Sequence, residues 1–331
     1  MSAAPPLIVI AGPTATGKTR FAIELAERIN ATGRVAEVIS ADSRQVYRGL
    51  DIGTAKVGAV ERARIVHHGL DLVDPDMPFS VTDFAHHARE VLGAIAARDG
   101  VAILAGGTGL YLRAVASGLD TQALPSDPDL RAGLEADLER DGLTALVERL
   151  ARLAPRLAAT IDRQNPRRVV RALEIAELAG DRPRPAMRGY PGWLTWLGLR
   201  VESAVHDRWI SWRARAQFEG GLIDEAAALR DRYDPNLRAF SAIGYREAWE
   251  VLDGRLQLDA AVALDAQRNR SFAKRQATWF RSEPAIRWLD ATDPSALLDD
   301  PGTKDVLAAL PRAGAAAVGA DPSIARPTPS G

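Results

Sequence analysis

Leu7-Ile8-Val9-Ile10-Ala11 runs straight into Gly12-Pro13-Thr14-Ala15-Thr16-Gly17-Lys18-Thr19, and that junction decides the fold. The first five residues are apolar and mostly β-branched, the composition of a strand buried on both faces of a sheet. Gly12 to Thr19 match the pattern G-x-x-x-x-G-K-[ST]. The residues that follow, Arg20 to Arg28, place Phe21, Ile23, Leu25 and Ala26 at helical spacing. Strand, glycine loop and helix in this order make a phosphate-holding P-loop. Its backbone N–H groups curl around an anion at the positive end of the helix, Lys18 adds a point charge, and the Thr19 hydroxyl is placed to hold a phosphate-bound Mg²⁺. The loop names the group that is held and leaves open what is done with it: a kinase, a GTPase or a transferase that expels diphosphate all fit.

Bulk properties narrow the classes. A chain of 331 residues, 47% hydrophobic and 26% charged with a net charge of −1, has the composition of an ordinary soluble protein. It contains no cysteine, which excludes disulfides, thiolate catalysis and Cys-based zinc sites. No apolar run approaches the ~20 residues of a membrane span, and no leader pattern precedes the first strand. A cytoplasmic monomer without a membrane partner is the expectation. Arginine outnumbers lysine 38 to four, and three of the four lysines, Lys18, Lys56 and Lys274, fall in the segments discussed below. An ammonium is the better point charge for a phosphate, so the bias points weakly to anion contacts.

Ala36 to Ala41 reads as a second strand that delivers Asp42 to the crevice beyond the strand ends, where ligands of open α/β sheets sit. Asp42 is equally suited to cap a helix. Val46 to Lys56 is glycine-broken and polar without periodicity, which favours a functional loop. Val101 to Ala105 is another buried strand, turning at Gly106-Gly107-Thr108. The glycines there permit close packing, and Thr108 falls in the same crevice as Asp42. His67 and His68 are adjacent, so a strand would point them to opposite faces; no metal-ligand spacing is present.

GPTATGKT followed by DSRQVYRGLDIGTAK resembles the tRNA dimethylallyltransferase family. So do His67 to Pro75, Gly106 to Tyr111, Pro166 to Glu174, Ile243 to Glu247 and Lys274 to Arg281, the similarity running from about Leu7 to about Leu289. The resemblance implies transfer of a dimethylallyl group from dimethylallyl diphosphate to N6 of adenosine 37 in tRNA. It implies a P-loop kinase-like α/β fold, a parallel sheet flanked by helices, with a helical insertion domain that clasps the anticodon stem. The core would comprise residues 1–116 and 194–312, the insertion 117–193, and residues 313–331 a disordered tail. Lys18, Thr19 and Arg213 would act on the diphosphate, with Asp42 as general base. Asp42, Ser43, Arg44, Gln45, Thr108, Arg131, Arg167, Arg168, Arg171, Arg246, Lys274, Arg275 and Arg281 would face the RNA. One departure stands out: four residues before Arg213 the family usually has a second Arg, where this chain has Trp209 with Arg208 beside it.

The residues of the insertion carry their own signal. Leu124-Pro125-Ser126-Asp127-Pro128 is a breaker-rich linker. Helical patterns follow over Leu130–Asp141, Leu143–Leu153 and Arg167–Ala179, closed by Gly180 and the Pro183/Pro185 pair. Arg149 to Arg188 holds ten arginines against four acids, whereas Asp120 to Glu148 is acidic, so the near-neutral total hides a polarised module. Arg167 and Arg171 share a helix face, which is either solvated or set against RNA phosphates. Trp193 to Leu199 returns to strand character before a long helical half. There, Arg268 to Arg281 interleaves cations with Phe272, Trp279 and Phe280, aromatics that fit a core better than a base-stacking platform. The competing readings are a P-loop kinase, a free-adenylate isopentenyltransferase that needs no RNA clasp, and a non-catalytic RNA-binding module.

Overall fold

The computed structural model describes residues 4–120, 125–182 and 187–313; Leu124, Pro183, Pro185 and the tail beyond Ala313 lie outside them. Contacts divide the chain into two compact units, Met1–Ser117 with Tyr190–Gly331, and Gly118–Gly189.

The first unit begins with β1 (Leu7–Ala11), α1 (Lys18–Asn30), β2 (Ala36–Ser40), α2 (Ala59–Arg64) and the two-residue β3 (His67–His68). It continues with α3 (Val81–Ala96), β4 (Val101–Gly106) and α4 (Gly109–Ala116). The second unit holds α5 (Pro128–Leu153), α6 (Pro155–Thr160) and α7 (Pro166–Ala179). After it come β5 (Leu194–Arg200), α8 (Ser203–Glu219), α9 (Leu222–Arg230), α10 (Tyr245–Leu252), α11 (Leu258–Arg281), β6 (Ile286–Asp290) and α12 (Pro301–Ala309).

The strands form one parallel sheet in the order β3-β2-β4-β1-β5-β6. β1 lies between β4 and β5, Leu7 opposite Ala102 on one side and Leu194 on the other, so all five of its residues are buried. Alternation then deals its side chains to two cores. Leu7, Val9 and Ala11 join Leu104, Trp196, Phe84 and Phe240 on one face. Ile8 and Ile10 join Phe21, Leu25, Ile103 and Leu199 on the other. A continuous apolar run is what a strand covered on both faces requires. β6 extends the sheet at its edge, where Arg287 is exposed between buried Ile286 and Leu289 and Asp290 is exposed at the end of the strand.

The second unit has a core of its own, built from Leu134, Leu146, Leu150, Leu157, Val169 and Leu173. Its long helix breaks at Gly142, whose φ of +80° and ψ of 167° are non-helical, and α7 ends at Gly180. Beneath the surface lies Glu174, fully buried. Its carboxylate accepts from Arg131 Nε at 2.9 Å, Arg171 Nη1 at 2.6 Å and the Asp127 N–H at 2.8 Å. Burial would raise its pKa, but these partners hold it below the ordinary value.

Candidate active site

The P-loop leaves the carboxyl end of β1. Gly17 caps α1 with φ +82°, a left-handed conformation that suits glycine, and Ala15 takes φ +59° beside it. Lys18 folds back over the loop, its Nζ donating to the Pro13 carbonyl, which also accepts from Thr16 Oγ1 at 2.9 Å. Burial and the neighbouring Arg213 push the Lys18 ammonium down to about 7 from its ordinary 10.5, against the pull of Asp42. Gly12 and Pro13 are buried, Thr14 and Ala15 half-buried, and Thr19 lies exposed in the first turn of α1.

Helix α8 supplies two further groups to the same loop. Arg213 Nη1 donates to Thr14 Oγ1 at 3.0 Å, and His206 Nε2 donates to the Thr14 carbonyl at 2.8 Å. Arg213 Nε is buried without a partner among the described residues, as is Oδ2 of Asp265 on α11. Burial pushes the Asp265 carboxyl up to about 6, against the Asn269 amide that donates to Oδ1 and the cation of Arg213. Trp209, on the face of α8 that carries Arg213, is half-buried, while Arg208 is exposed one position away. Arg208 thus does not stand in register with Arg213.

Asp42 follows β2, which is separated from β1 in the sheet by β4. The cap reading needs correction: no helix follows it, and Asp42 Oδ1 accepts the Arg44 N–H at 2.8 Å, an Asx turn. Thr108 follows β4, and its Oγ1 accepts the Ser43 N–H at 3.1 Å, which draws the third strand end to the second. Gly106 and Gly107 permit this closeness. A Cβ on Gly106 would stand 2.2 Å from the Ala41 carbonyl oxygen, and one on Gly107 would stand 2.3 Å from Gln276 Nε2. Asp42 and Ser43 are half-buried at this crevice. Arg44 Nη1 donates to the Arg238 carbonyl at 2.9 Å, and Gln45 accepts from Ser40 Oγ while donating to the Thr54 carbonyl.

The stretch from Val46 to Lys56, expected to be a functional loop, is held from within the protein. Glu225 accepts the N–H groups of Asp51, Ile52 and Gly53, and Tyr245 Oη donates to the same carboxylate at 2.7 Å. Lys56, 1% exposed, bonds the Tyr47 carbonyl, Asp51 and Asp71, so its ammonium is engaged within the protein. His68 Nε2 lies 2.7 Å from the buried Glu37 carboxylate, a packing role.

The remaining cations divide. Arg167 and Arg168 are exposed on α7, whereas Arg131 and Arg171 brace Glu174. Arg246 on α10 and Lys274, Arg275 and Arg281 on α11 are exposed, with Arg275 over the Phe272 ring at 5.7 Å. The opposite face of α11 carries Ala273, Gln276 and Phe280 into the core. Trp279 lies against Gly109 and under the guanidinium of Arg113, 4.4 Å from the ring centre. Sequence reasoning missed Gln276, His206 and Asp265. The one available signal was a glutamine on the buried stripe of α11.

A parallel sheet with an anion loop at the end of its central strand, and an acid and a hydroxyl at the next two ends, defines a P-loop protein. A family model described as IPP transferase matches residues 45–283, beginning just past Asp42. The tRNA dimethylallyltransferase of Halalkalibacterium halodurans is 42% identical over 293 residues, covering 87% of this chain and 91% of its own. The solved full-length tRNA isopentenylpyrophosphate transferase of Bacillus halodurans superposes with a TM-score of 0.66 at 39% identity, covering 92% of this chain and 96% of that one. A eukaryotic dimethylallyltransferase acting on tRNA shares the fold, with a TM-score of 0.73 at 23% identity over 92% of this chain and 78% of that one. The chain belongs to the IPP transferase family and is a transferase. Among the described residues no helix is long and apolar enough to cross a membrane.

Proposed function

We propose that this protein, a cytoplasmic monomer, transfers a dimethylallyl group from dimethylallyl diphosphate to N6 of adenosine 37 in the anticodon loop of tRNA. The observation that carries the reading is the meeting of an anion-holding loop, flanked by Lys18 and Arg213, with the Asp42 carboxylate and Thr108 at neighbouring strand ends. An exocyclic adenine amine is a weak nucleophile because its lone pair is delocalised into the ring. The donor makes up for this: as the C1–O bond breaks, its electron pair leaves with the diphosphate and positive charge spreads over the allyl carbons. The N6 lone pair forms the new bond to C1, and the N6 proton passes to the Asp42 carboxylate.

Groups that hold the departing diphosphate lower the barrier directly. The amides of the loop, Lys18 and Arg213 are proposed to do so, which the contacts of both cations with the loop support, and an arriving anion favours the charged form of Lys18. Among the described residues no group of three His, Cys, Asp or Glu forms a metal cage. Mg²⁺ bound with a diphosphate takes most of its oxygens from phosphate and water, with a protein hydroxyl beside them. Thr19 would supply that hydroxyl, and the ion when bound adds positive charge to the leaving group. The target base must leave the anticodon stack to reach C1. Arg167, Arg168, Arg246, Lys274, Arg275 and Arg281, all exposed, are proposed to meet RNA phosphates. Incubation with labelled dimethylallyl diphosphate and either total tRNA or AMP, without ATP, tests the assignment. Label in tRNA alone is expected. Label in AMP alone, or a requirement for ATP, overturns it in favour of a free-adenylate enzyme or a kinase.

A further inference from the structure

Gln276 uses both ends of its carboxamide, and each end holds a different wall of the site. Oε1 accepts the Thr14 N–H of the P-loop at 2.8 Å, and Nε2 donates to the Gly107 carbonyl at 2.9 Å. The side chain is 7% exposed on α11, between Ala273 and Phe280. Gly107 has no room for a side chain while that amide is in place, since its Cβ would stand 2.3 Å from Nε2. The next residue, Thr108, holds the Ser43 N–H, and Ser43 adjoins Asp42. A continuous chain of bonds therefore runs from the donor loop through one glutamine to the acid at the acceptor crevice. His206 and Arg213 hold Thr14 too, but from α8, on the donor side.

We propose that Gln276 is a positioning residue, which sets the separation between the diphosphate held by the P-loop and the amine presented at Asp42. The proposal rests on the dimethylallyl-transfer reading. A displacement of two partners needs the reacting atoms within about 3–3.5 Å, and a misplacement of about 1 Å costs on the order of 10²-fold in rate. No side chain that only donates or only accepts can make this link. Glutamate matches the shape but has no N–H for Gly107, and methionine fills the volume with neither group. Gln276 contributes to the geometry of the reacting pair, and the P-loop and the exposed cations still bind each substrate separately.

The test is single-turnover transfer from saturating dimethylallyl diphosphate to saturating tRNA by Gln276→Met. Its rate constant is expected to fall on the order of 10²-fold. Affinities for inorganic pyrophosphate and for tRNA should stay within about threefold of the parent, because neither ligand alone feels the separation. A purely structural residue would lower the reaction amplitude, through loss of folded protein, and leave the rate constant alone. That result overturns the proposal, as does loss of pyrophosphate affinity in step with the rate. Should Gln276→Met fail to fold, Gln276→Asn keeps the amide one methylene short and is expected to show the same split. A parent that transfers nothing to tRNA overturns both this role and the reaction it serves, whereas a normal parent with an undiminished variant overturns this role alone.

Discussion

At the residue scale, the roles proposed for Asp42 and Lys18 each make a distinct prediction. Asparagine at 42 keeps the Asx turn to the Arg44 N–H but cannot take a proton. Asp42→Asn should melt normally, bind both substrates, and lose roughly 10²–10⁴-fold in single-turnover transfer. A loss of less than about threefold would assign Asp42 to the turn alone. Lys18→Ala should abolish turnover while tRNA still binds through the exposed cations. The free protein offers a second view of the same lysine. Its folded value of about 7 lies below the ordinary 10.5, so between these values the unfolded chain holds a proton that the folded chain has shed. Unfolding free energy from this group therefore rises with pH through that window, and the burden of burying the ammonium is fully present below it. Lys18→Met, which has no charge to bury, should melt above the parent near neutral pH, by a margin that shrinks towards pH 9 to 10. A margin independent of pH in melts of the ligand-free proteins would contradict the assignment.

At the scale of elements, two helices divide their polar side chains between ones bonded within the fold and cations left exposed. On α7, Arg171 bonds the buried Glu174 that Arg131 grips from α5, while Arg167 and Arg168 are exposed. Removing one partner leaves a buried carboxylate with fewer donors, so Arg131→Ala should cost roughly 1–3 kcal/mol of stability in denaturant titration. Arg167→Ala with Arg168→Ala should leave stability nearly unchanged, weaken tRNA binding and flatten its dependence on salt, because phosphate contacts release counterions. An unaltered salt slope would leave that face merely solvated. On α11 the same division runs around the helix, with Lys274, Arg275 and Arg281 outward and Gln276 and Phe280 inward.

Across the whole molecule, the segment Gly118–Gly189 is a compact unit with a separate apolar core. Its ends meet: Arg188 N donates to the Gly118 carbonyl at 3.2 Å, and a Cβ on Gly118 would stand 2.5 Å from the Gly189 carbonyl oxygen. Replacing the segment by a short Gly/Ser linker should therefore leave the sheet folded and able to bind inorganic pyrophosphate, with tRNA affinity reduced. Loss of the cooperative melt of the remaining core would show that the two units fold as one.

By itself the sequence determined the P-loop and the central strands. Strictly apolar runs such as Leu7–Ala11 and Val101–Ala105 leave one solution, a strand covered on both faces, and the glycine loop is a local motif complete within eight residues. Tertiary structure decided what local patterns cannot encode. The edge strand β6 mixes polar with apolar residues without strict alternation and lies within the half of the chain whose pattern is helical. Lys56 and Arg131 carry no local sign of a partner, yet Asp71 and the buried Glu174, 15 and 43 residues away, are folded against them. Asp42 suits a helix cap in sequence, but no helix follows it and its carboxylate accepts the Arg44 N–H in an Asx turn. Gln276 stands 262 residues from the Thr14 amide it holds, and such a bond exists only once the last long helix closes over the first loop. Periodicity reports which face of an element is buried; which polar atom meets which is fixed by the packing of elements that lie far apart in the chain.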